Sequence, residues 1–177
     1  MNTIDAILTR RSIRSFQPDS IDREQILTLL RAAMHAPSAI DEQPWRFVVI
    51  TDREKLQAIP TVHTHAGLVA GAPLAILVCG DMSRLKVDGY WVQDCSCAAQ
   101  NILLAAHATG LGAVWVGVYP TTANVASLSR YFKLPETVLP FALIAIGQPA
   151  EECGPKDTFD SGLVHWDSWE NGSEQSS

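Results

Sequence analysis

Apolar residues recur along the chain at two spacings, and each spacing marks a different kind of element. In TIDAILTRR, Ile4, Ile7 and Leu8 fall three and four apart, which puts them on one face of a short helix with Thr3 as its N-cap. DREQILTLLRAAMHA extends the same pattern: Asp22 and Gln25 have capping-box spacing, Ile26, Leu29, Leu30 and Ala33 form the buried stripe, and Pro37 ends the helix. WRFVVITD changes to β-branched and aromatic residues and predicts a strand, after which Asp52 caps a helix over REKLQAI. APLAILVCGD, GAVWVGVYP and FALIAIGQP are nearly continuous apolar runs bounded by turn residues, the pattern of strands covered on both faces. A last helix, ANVASLSRYF, starts from Thr121 or Thr122.

The longest pattern is YWVQDCSCAAQNILLAAHATG, a helix that ends at Gly110, a natural C′ residue. Trp91, Val92, Ala98, Ala99, Ile102, Leu103, Leu104, Ala105, Ala106 and Ala108 cover most of its circumference. A helix that is apolar nearly all round is buried on all sides. In a chain of 177 residues a partner subunit is the economical cover, with Ala98, Ala99, Ala105 and Ala106 allowing close approach. The other reading is a central helix wrapped by its own chain. No internal repeat or Pro/Gly-rich linker divides the sequence, so residues 1–169 read as one domain. The polar ending ENGSEQSS, residues 170–177, reads as a disordered tail.

Composition narrows the class. A hydrophobic content of 47% supports a real core, and a formal net charge of -6 argues against a general nucleic-acid binder. The N-terminus has Asp5 and no long apolar region, unlike a signal peptide. The longest apolar run, LVAGAPLAILVCG, is too short to span a membrane and is broken by Pro73. A soluble, cytoplasmic protein is expected, with no nucleic-acid or membrane partner. Four cysteines are sparse for a disulfide framework. Cys95 and Cys97 form C-x-C inside a helical pattern, where residues two apart diverge, and no second pair has zinc-site spacing, so no metal is expected. His63 and His65 read as loop or helix-end residues.

Against this acidic background, RRSIR packs Arg10, Arg11 and Arg14 around Ser12 within five positions. On spacing alone the plain reading is a solvated helix C-terminus, where cations complement the helix dipole. The alternative is an anion held between guanidinium groups. PSAIDEQPW taken alone likewise reads as an ordinary turn between a helix and a strand. In GLGAVWVGVY, Gly110 caps a helix and a core strand follows.

Taken in order, RRSIR, APSAIDEQPW, QNILLAAHATGLGAVWVG, IAIGQP and GPKDTFDSGLVHWDSW resemble the nitroreductase family of FMN-dependent oxidoreductases, and the match runs from Ile4 to about Trp169. The resemblance implies an α+β, three-layer fold, with a central mixed sheet flanked by helices. It also implies an intertwined homodimer with two FMN sites, each built from both subunits, and a C-terminal arm over the partner anchored by Phe159, Trp166 and Trp169. Bidentate guanidinium groups match a phosphate in charge and geometry. By resemblance Arg10 goes to the FMN phosphate, Arg11 and Ser12 to the phosphate or ribityl chain, and Arg14 to the pyrimidine edge. A cation there favours the reduced flavin, whose charge gathers at N1.

The same resemblance brings Pro37, Ser38, Ala39, Gln43 and Pro44 to the flavin from the other subunit. It runs Trp115, Val116, Gly117 and Val118 along the flavin, with a backbone N–H aimed at N5. Two positions depart from the family pattern: Asp41 stands where Asn is common, and Thr158 stands where a basic residue is common. The phosphate is then left to Arg10 and Lys156, and a carboxylate at Asp41 comes near the pyrimidine edge or Arg14. The implied reaction is ping-pong: NAD(P)H passes hydride to flavin N5, and a nitroaromatic, quinone or similar acceptor removes it, with no dedicated side-chain acid or base. The alternatives are a related flavin enzyme, in dehalogenation or flavin breakdown, and a non-catalytic flavin-binding dimer.

Overall fold

A computed structural model of the chain describes residues 1–154 and 156–170. Helix α1 spans Thr3–Thr9, and its N-cap is Asn2 rather than Thr3: the Asn2 side chain accepts from the Asp5 N–H at 3.0 Å. Asn is the stronger cap, and taking the role moves the helix start by one residue. Arg10 has an extended backbone, so Arg10 and Arg11 leave the helix expected to contain them. Helix α2 (Arg23–Met34) has the expected capping box between Asp22 and Gln25, and Leu29 and Ala33 are its buried residues. Strand β1 (Trp45–Ile50) is followed by α3 (Arg53–Val62), capped by Asp52 and running past the expected segment through Pro60.

Strand β2 (Leu74–Asp81), helix α4 (Trp91–Ala108), strand β3 (Gly112–Gly117), helix α5 (Thr122–Tyr131) and strand β4 (Val138–Gly147) complete the framework. Thr121 is the N-cap of α5 but makes no side-chain capping bond. The sheet order is β1-β2-β4-β3, and all three neighbouring pairs are antiparallel. The expected mixed sheet is corrected accordingly: the parallel component comes down to an isolated bridge between Ser12 and Ala113. Burial on both faces produces the same continuous apolar run in parallel and antiparallel strands, so the runs carry no information about direction.

Alternation along the two central strands builds a core on each face of the sheet. Leu74, Ile76 and Val78 of β2 with Ala142, Ile144 and Ile146 of β4 pack against α2 and α4. Ala75, Leu77 and Cys79 with Leu143 and Ala145 pack against α3, α5 and the turn at Gly67–Gly71. The layers are thus helix, sheet, helix.

Helix α4 lies in the first of these cores. Trp91, Cys95, Ala98, Ala99, Ile102, Leu103 and Ala106 are buried by the sheet and by α2. Of the two readings of this helix, the structure favours the one in which its own chain supplies most of the cover. Leu104 and Ala105 remain half-buried and Ala108 is exposed. The expectation for residues 170–177 falls, apart from Glu170, outside the described residues. No helix among the described residues is long and apolar enough to cross a membrane.

Candidate functional site

Beyond α1 the chain crosses the end of the sheet as an extended segment. Ile13 is buried, and its N–H donates to the Ala113 carbonyl at 3.1 Å. A Cβ on Gly112 would lie 2.7 Å from Ile13 Cγ2, so the absence of a side chain lets the segment sit down on β3. On the far side Gln17 N–H donates to the Gln148 carbonyl at 2.8 Å, and Ala150 N–H to the Ser15 carbonyl at 3.0 Å. The Glu151 carboxylate accepts from the N–H groups of Arg14 and Ser15, and those bonds hold its pKa below the ordinary value. The Arg11 guanidinium donates to the Gly154 carbonyl.

This anchoring places Arg10 and Arg11 beside the C-terminal segment. A pocket of about 760 Å³ is lined by Ile7, Leu8, Thr9, Arg10, Arg11, Lys156, Asp157, Thr158 and Phe159. Three of the cations singled out from the sequence, separated by up to 146 positions (156 − 10), thus share one cavity with an apolar wall. Thr9 Oγ1 pairs with His107 Nε2 at 2.8 Å, tying this end of α1 to the last turn of α4. Burial, and then the charge of Arg10, lower the His107 pKa and favour its neutral form. Arg14 is exposed and directs its guanidinium to the Ser12 carbonyl at 3.5 Å, outside the pocket lining.

The turn from Pro37 to Gln43 lies elsewhere. Ile40, Asp41 and Gln43 all have positive φ, at 42°, 53° and 46°. Such angles are costly for residues other than glycine and persist only where surrounding contacts impose them. Ala39 N–H donates to Asp94 Oδ1 at 3.1 Å, Lys86 Nζ to the Ile40 carbonyl at 3.2 Å, and Arg84 Nε to the Gln43 carbonyl at 3.2 Å. Gln43 N–H donates to Ser38 Oγ at 3.2 Å, and Gln43 Nε2 to Asp41 Oδ1 at 2.7 Å. Within one chain, Asp41 is therefore an exposed turn residue engaged by Gln43, not a partner of Arg14.

The turn and the arginine segment sit at opposite ends of α4. The first is joined to Asp94 and the second to His107, which lie about 20 Å apart at 1.5 Å per helical residue. One chain does not bring these two groups of residues together.

At the end of β3, Trp115 is half-buried on the α4 side, edge-on to Phe141 with ring centroids 5.5 Å apart. Val116 and Val118 point into the opposite core. Gly117 is exposed, and a Cβ there would meet nothing within 4 Å. Buried His63 bonds to the Gly117 carbonyl through Nε2 at 2.8 Å, while its Nδ1 accepts from His65 N–H at 3.3 Å. That pair of bonds assigns the proton to Nε2. Glu151 and Asp94 escape the sequence reading, and so does the bond of His63, which reads there as a loop or helix-end residue. His63 does carry a signal, its place just beyond a helix, but its partner lies 54 residues away. Burial pushes the Cys79 thiol up to about 12 and raises that of Cys95 further. Among the described residues no group of three His, Cys, Asp or Glu side chains is placed to hold a metal ion.

The nitroreductase family model matches residues 7–66 and 64–148. A Methanothermobacter thermautotrophicus protein with the provisional name NADH dehydrogenase/NAD(P)H nitroreductase is 52% identical over 169 residues, covering 96% of this chain and 88% of that one. A solved Bacteroides thetaiotaomicron structure with the same provisional name superposes with a TM-score of 0.90 at 41% identity, over 94% of this chain and 98% of that one. An FMN-dependent nitroreductase from Clostridium difficile superposes at 0.87 with 30% identity, over 94% and 99%. With a family match across most of the chain, and an identity of 52% spanning nearly all of it, the chain belongs to the nitroreductase family of flavin oxidoreductases.

Proposed function

We propose that this protein is a homodimeric, cytoplasmic FMN enzyme of one domain, residues 1–169, with two flavin sites that each draw residues from both subunits. When bound, FMN supplies the hydride-carrying chemistry between NAD(P)H and a nitroaromatic, quinone or similar small acceptor in a ping-pong sequence. The observation that carries the reading is the pocket that gathers Arg10, Arg11 and Lys156. Clustered cations on an acidic chain suit a phosphate, and guanidinium groups suit it in geometry as well as charge. The residues present therefore fit FMN at its phosphate end, which Arg10, Arg11 and Lys156 would hold; Ser12 would lie next to the ribityl chain, and Arg14, outside this pocket, would turn to the pyrimidine edge.

Pro37, Ser38, Ala39 and Gln43 would belong to the partner's contribution, since in one chain their turn is a helix length from Arg10. The open strip at Gly117 leaves room for a ligand to approach the backbone of the Trp115–Val118 segment. His63 would fix that backbone from behind by holding the Gly117 carbonyl. Exposed Phe159, Trp166 and Trp169 support a C-terminal arm that packs on a second subunit. Unpaired cysteines agree with a reducing compartment.

The absorbance spectrum of the purified protein, read beside light scattering, tests this directly. A flavin band on a dimer, together with NAD(P)H oxidation dependent on a quinone or nitroaromatic, is the expected result. A flavin-loaded monomer at micromolar concentration would overturn the shared site.

Asp41 gives a finer prediction. Its carboxylate, brought to the partner's flavin, disfavours the added negative charge of the reduced cofactor. Asp41→Asn keeps an oxygen for Gln43 Nε2 and removes only the charge. It is expected to raise the FMN midpoint potential by about 20–40 mV, equivalent to about 1–2 kcal/mol for a two-electron couple. Spectroelectrochemical titration of both proteins measures it. An unchanged potential would leave Asp41 as a turn residue alone.

A further inference from the structure

Two buried carboxyl groups fasten the strained turn to the rest of the chain. Glu42 is 1% exposed and Asp94 5%. Each commits one oxygen to backbone donors: Glu42 Oε2 accepts from Lys86 N–H at 2.8 Å and Val87 N–H at 3.4 Å, and Asp94 Oδ1 accepts from Ala39 N–H at 3.1 Å. The remaining oxygens, Glu42 Oε1 and Asp94 Oδ2, are buried without a protein donor. Both residues meet at Ala39, whose carbonyl accepts from the Glu42 N–H at 3.0 Å and whose N–H is the donor to Asp94. Two adjacent buried carboxylates repel, and each would strand an acceptor; one proton between them turns the two unsatisfied atoms into a donor and an acceptor.

The charged groups on the surrounding elements have other partners. Lys86 Nζ is on the Ile40 carbonyl, Arg84 Nε on the Gln43 carbonyl, and the Asp41 carboxylate on the Gln43 amide. On β2, Asp81 pairs with Arg46 at 2.9 Å. On α2, His35 is turned to the Arg31 carbonyl at 2.7 Å. Asp88 is exposed on the loop before α4.

We propose that Glu42 and Asp94 share a single proton and act as a positioning pair, an acid–carboxylate clasp that holds the Pro37–Gln43 turn against the first turn of α4. Its consequence for the reaction rests on the two-subunit flavin site described above; the clasp itself does not. Burial raises the Asp94 pKa, the Ala39 N–H draws it partly back, and Glu42 raises it again through charge and a side-chain hydrogen bond. A carboxyl held above its unfolded value of about 4 binds its proton more tightly in the folded chain. Its stabilising contribution is complete below about pH 4 and is lost as pH rises through the folded value. Above that point two anions face each other and the turn loosens.

The experiment compares urea unfolding of the FMN-free protein, and FMN affinity, for wild type, Glu42→Gln and Asp94→Asn from about pH 5 to 9. Either amide supplies a permanent donor to the opposite carboxylate and does not titrate. Over this range the wild-type folding constant is expected to fall relative to both variants, by about tenfold against Asp94→Asn for each unit by which the folded pKa exceeds 5, and by less against Glu42→Gln, where burial still raises Asp94. The wild-type FMN dissociation constant should rise over the same interval relative to that of Asp94→Asn, beyond the change that titration of the FMN phosphate causes in all three proteins. Infrared spectra of isotope-labelled wild type should show a protonated carboxyl band at the low end of the range, lost as the pair titrates. This readout needs no variant to fold. Parallel pH profiles in all three proteins, with no such band, would overturn the clasp. If none binds FMN while the stability difference and the band persist, the flavin site fails and the clasp stands.

Discussion

Arg10→Ala is expected to weaken FMN binding by about 1.5–3 kcal/mol, the scale of a hydrogen bond to a charged group, or roughly tenfold to a little over a hundredfold in dissociation constant. Arg10 is half-buried in the wall of the cationic pocket. Its N–H closes α1 on the Ala6 carbonyl at 3.2 Å, a bond that alanine keeps. The substitution therefore removes charge without removing the helix end. Because the proposed partner of Arg10 is the phosphate, the loss should be much smaller for riboflavin, which lacks it. Fluorescence titration with both ligands measures the difference, and equal losses would place Arg10 away from the phosphate. The His107 pKa supplies a second readout: without the Arg10 charge it should rise, although burial continues to hold it down. A His107 titration that does not move would mean that the two side chains do not communicate.

Several features of this pocket were legible in the sequence, and the reasons differ. The arginines stood out because three cations in five positions are conspicuous on a chain of net charge -6. Their exit from the helix was not legible, because no Gly or Pro directly follows Thr9 and the docking of the next segment through Ile13 N–H on the Ala113 carbonyl is a long-range contact. Capping at Asp22 and Asp52 was readable because those contacts are local, made to residues three positions on. Contacts such as Glu151 to Arg14, or His63 to Gly117, span 137 and 54 residues, and no local pattern encodes them. The Glu42–Asp94 pair escaped for another reason. Asp94 sits in a helix read as apolar all round, where one carboxylate looks like an outward-facing residue until its burial is seen.

Leu103→Glu and Ile4→Glu are expected to fail in different ways, and the contrast tests where the subunits meet. The apolar circumference of α4 points to an interface in the sequence, but Leu103 is 4% exposed within the chain's own core, with residues of the sheet and α2. A carboxylate there has no partner, and its desolvation costs several kcal/mol beyond the lost packing. That is comparable with the whole stability of a domain, about 5–15 kcal/mol. Leu103→Glu should therefore unfold the chain, losing helical circular dichroism, dimer and FMN together, so it does not report on the interface. Ile4 is 62% exposed, on a helix whose Ile7 and Leu8 are also exposed. A contiguous apolar face of this kind commonly marks an interaction surface. An acidic residue in the first turn suits the helix dipole, so Ile4→Glu leaves α1 intact. If this face meets the partner, the variant should be a folded monomer by light scattering and circular dichroism. Having lost the partner's Pro37–Gln43 turn, it should also have lost most of its FMN affinity. A variant that remains dimeric with full FMN content would move the interface off α1, to the half-buried strip of α4 at Leu104 and Ala105 or to the exposed aromatics of the C-terminal segment.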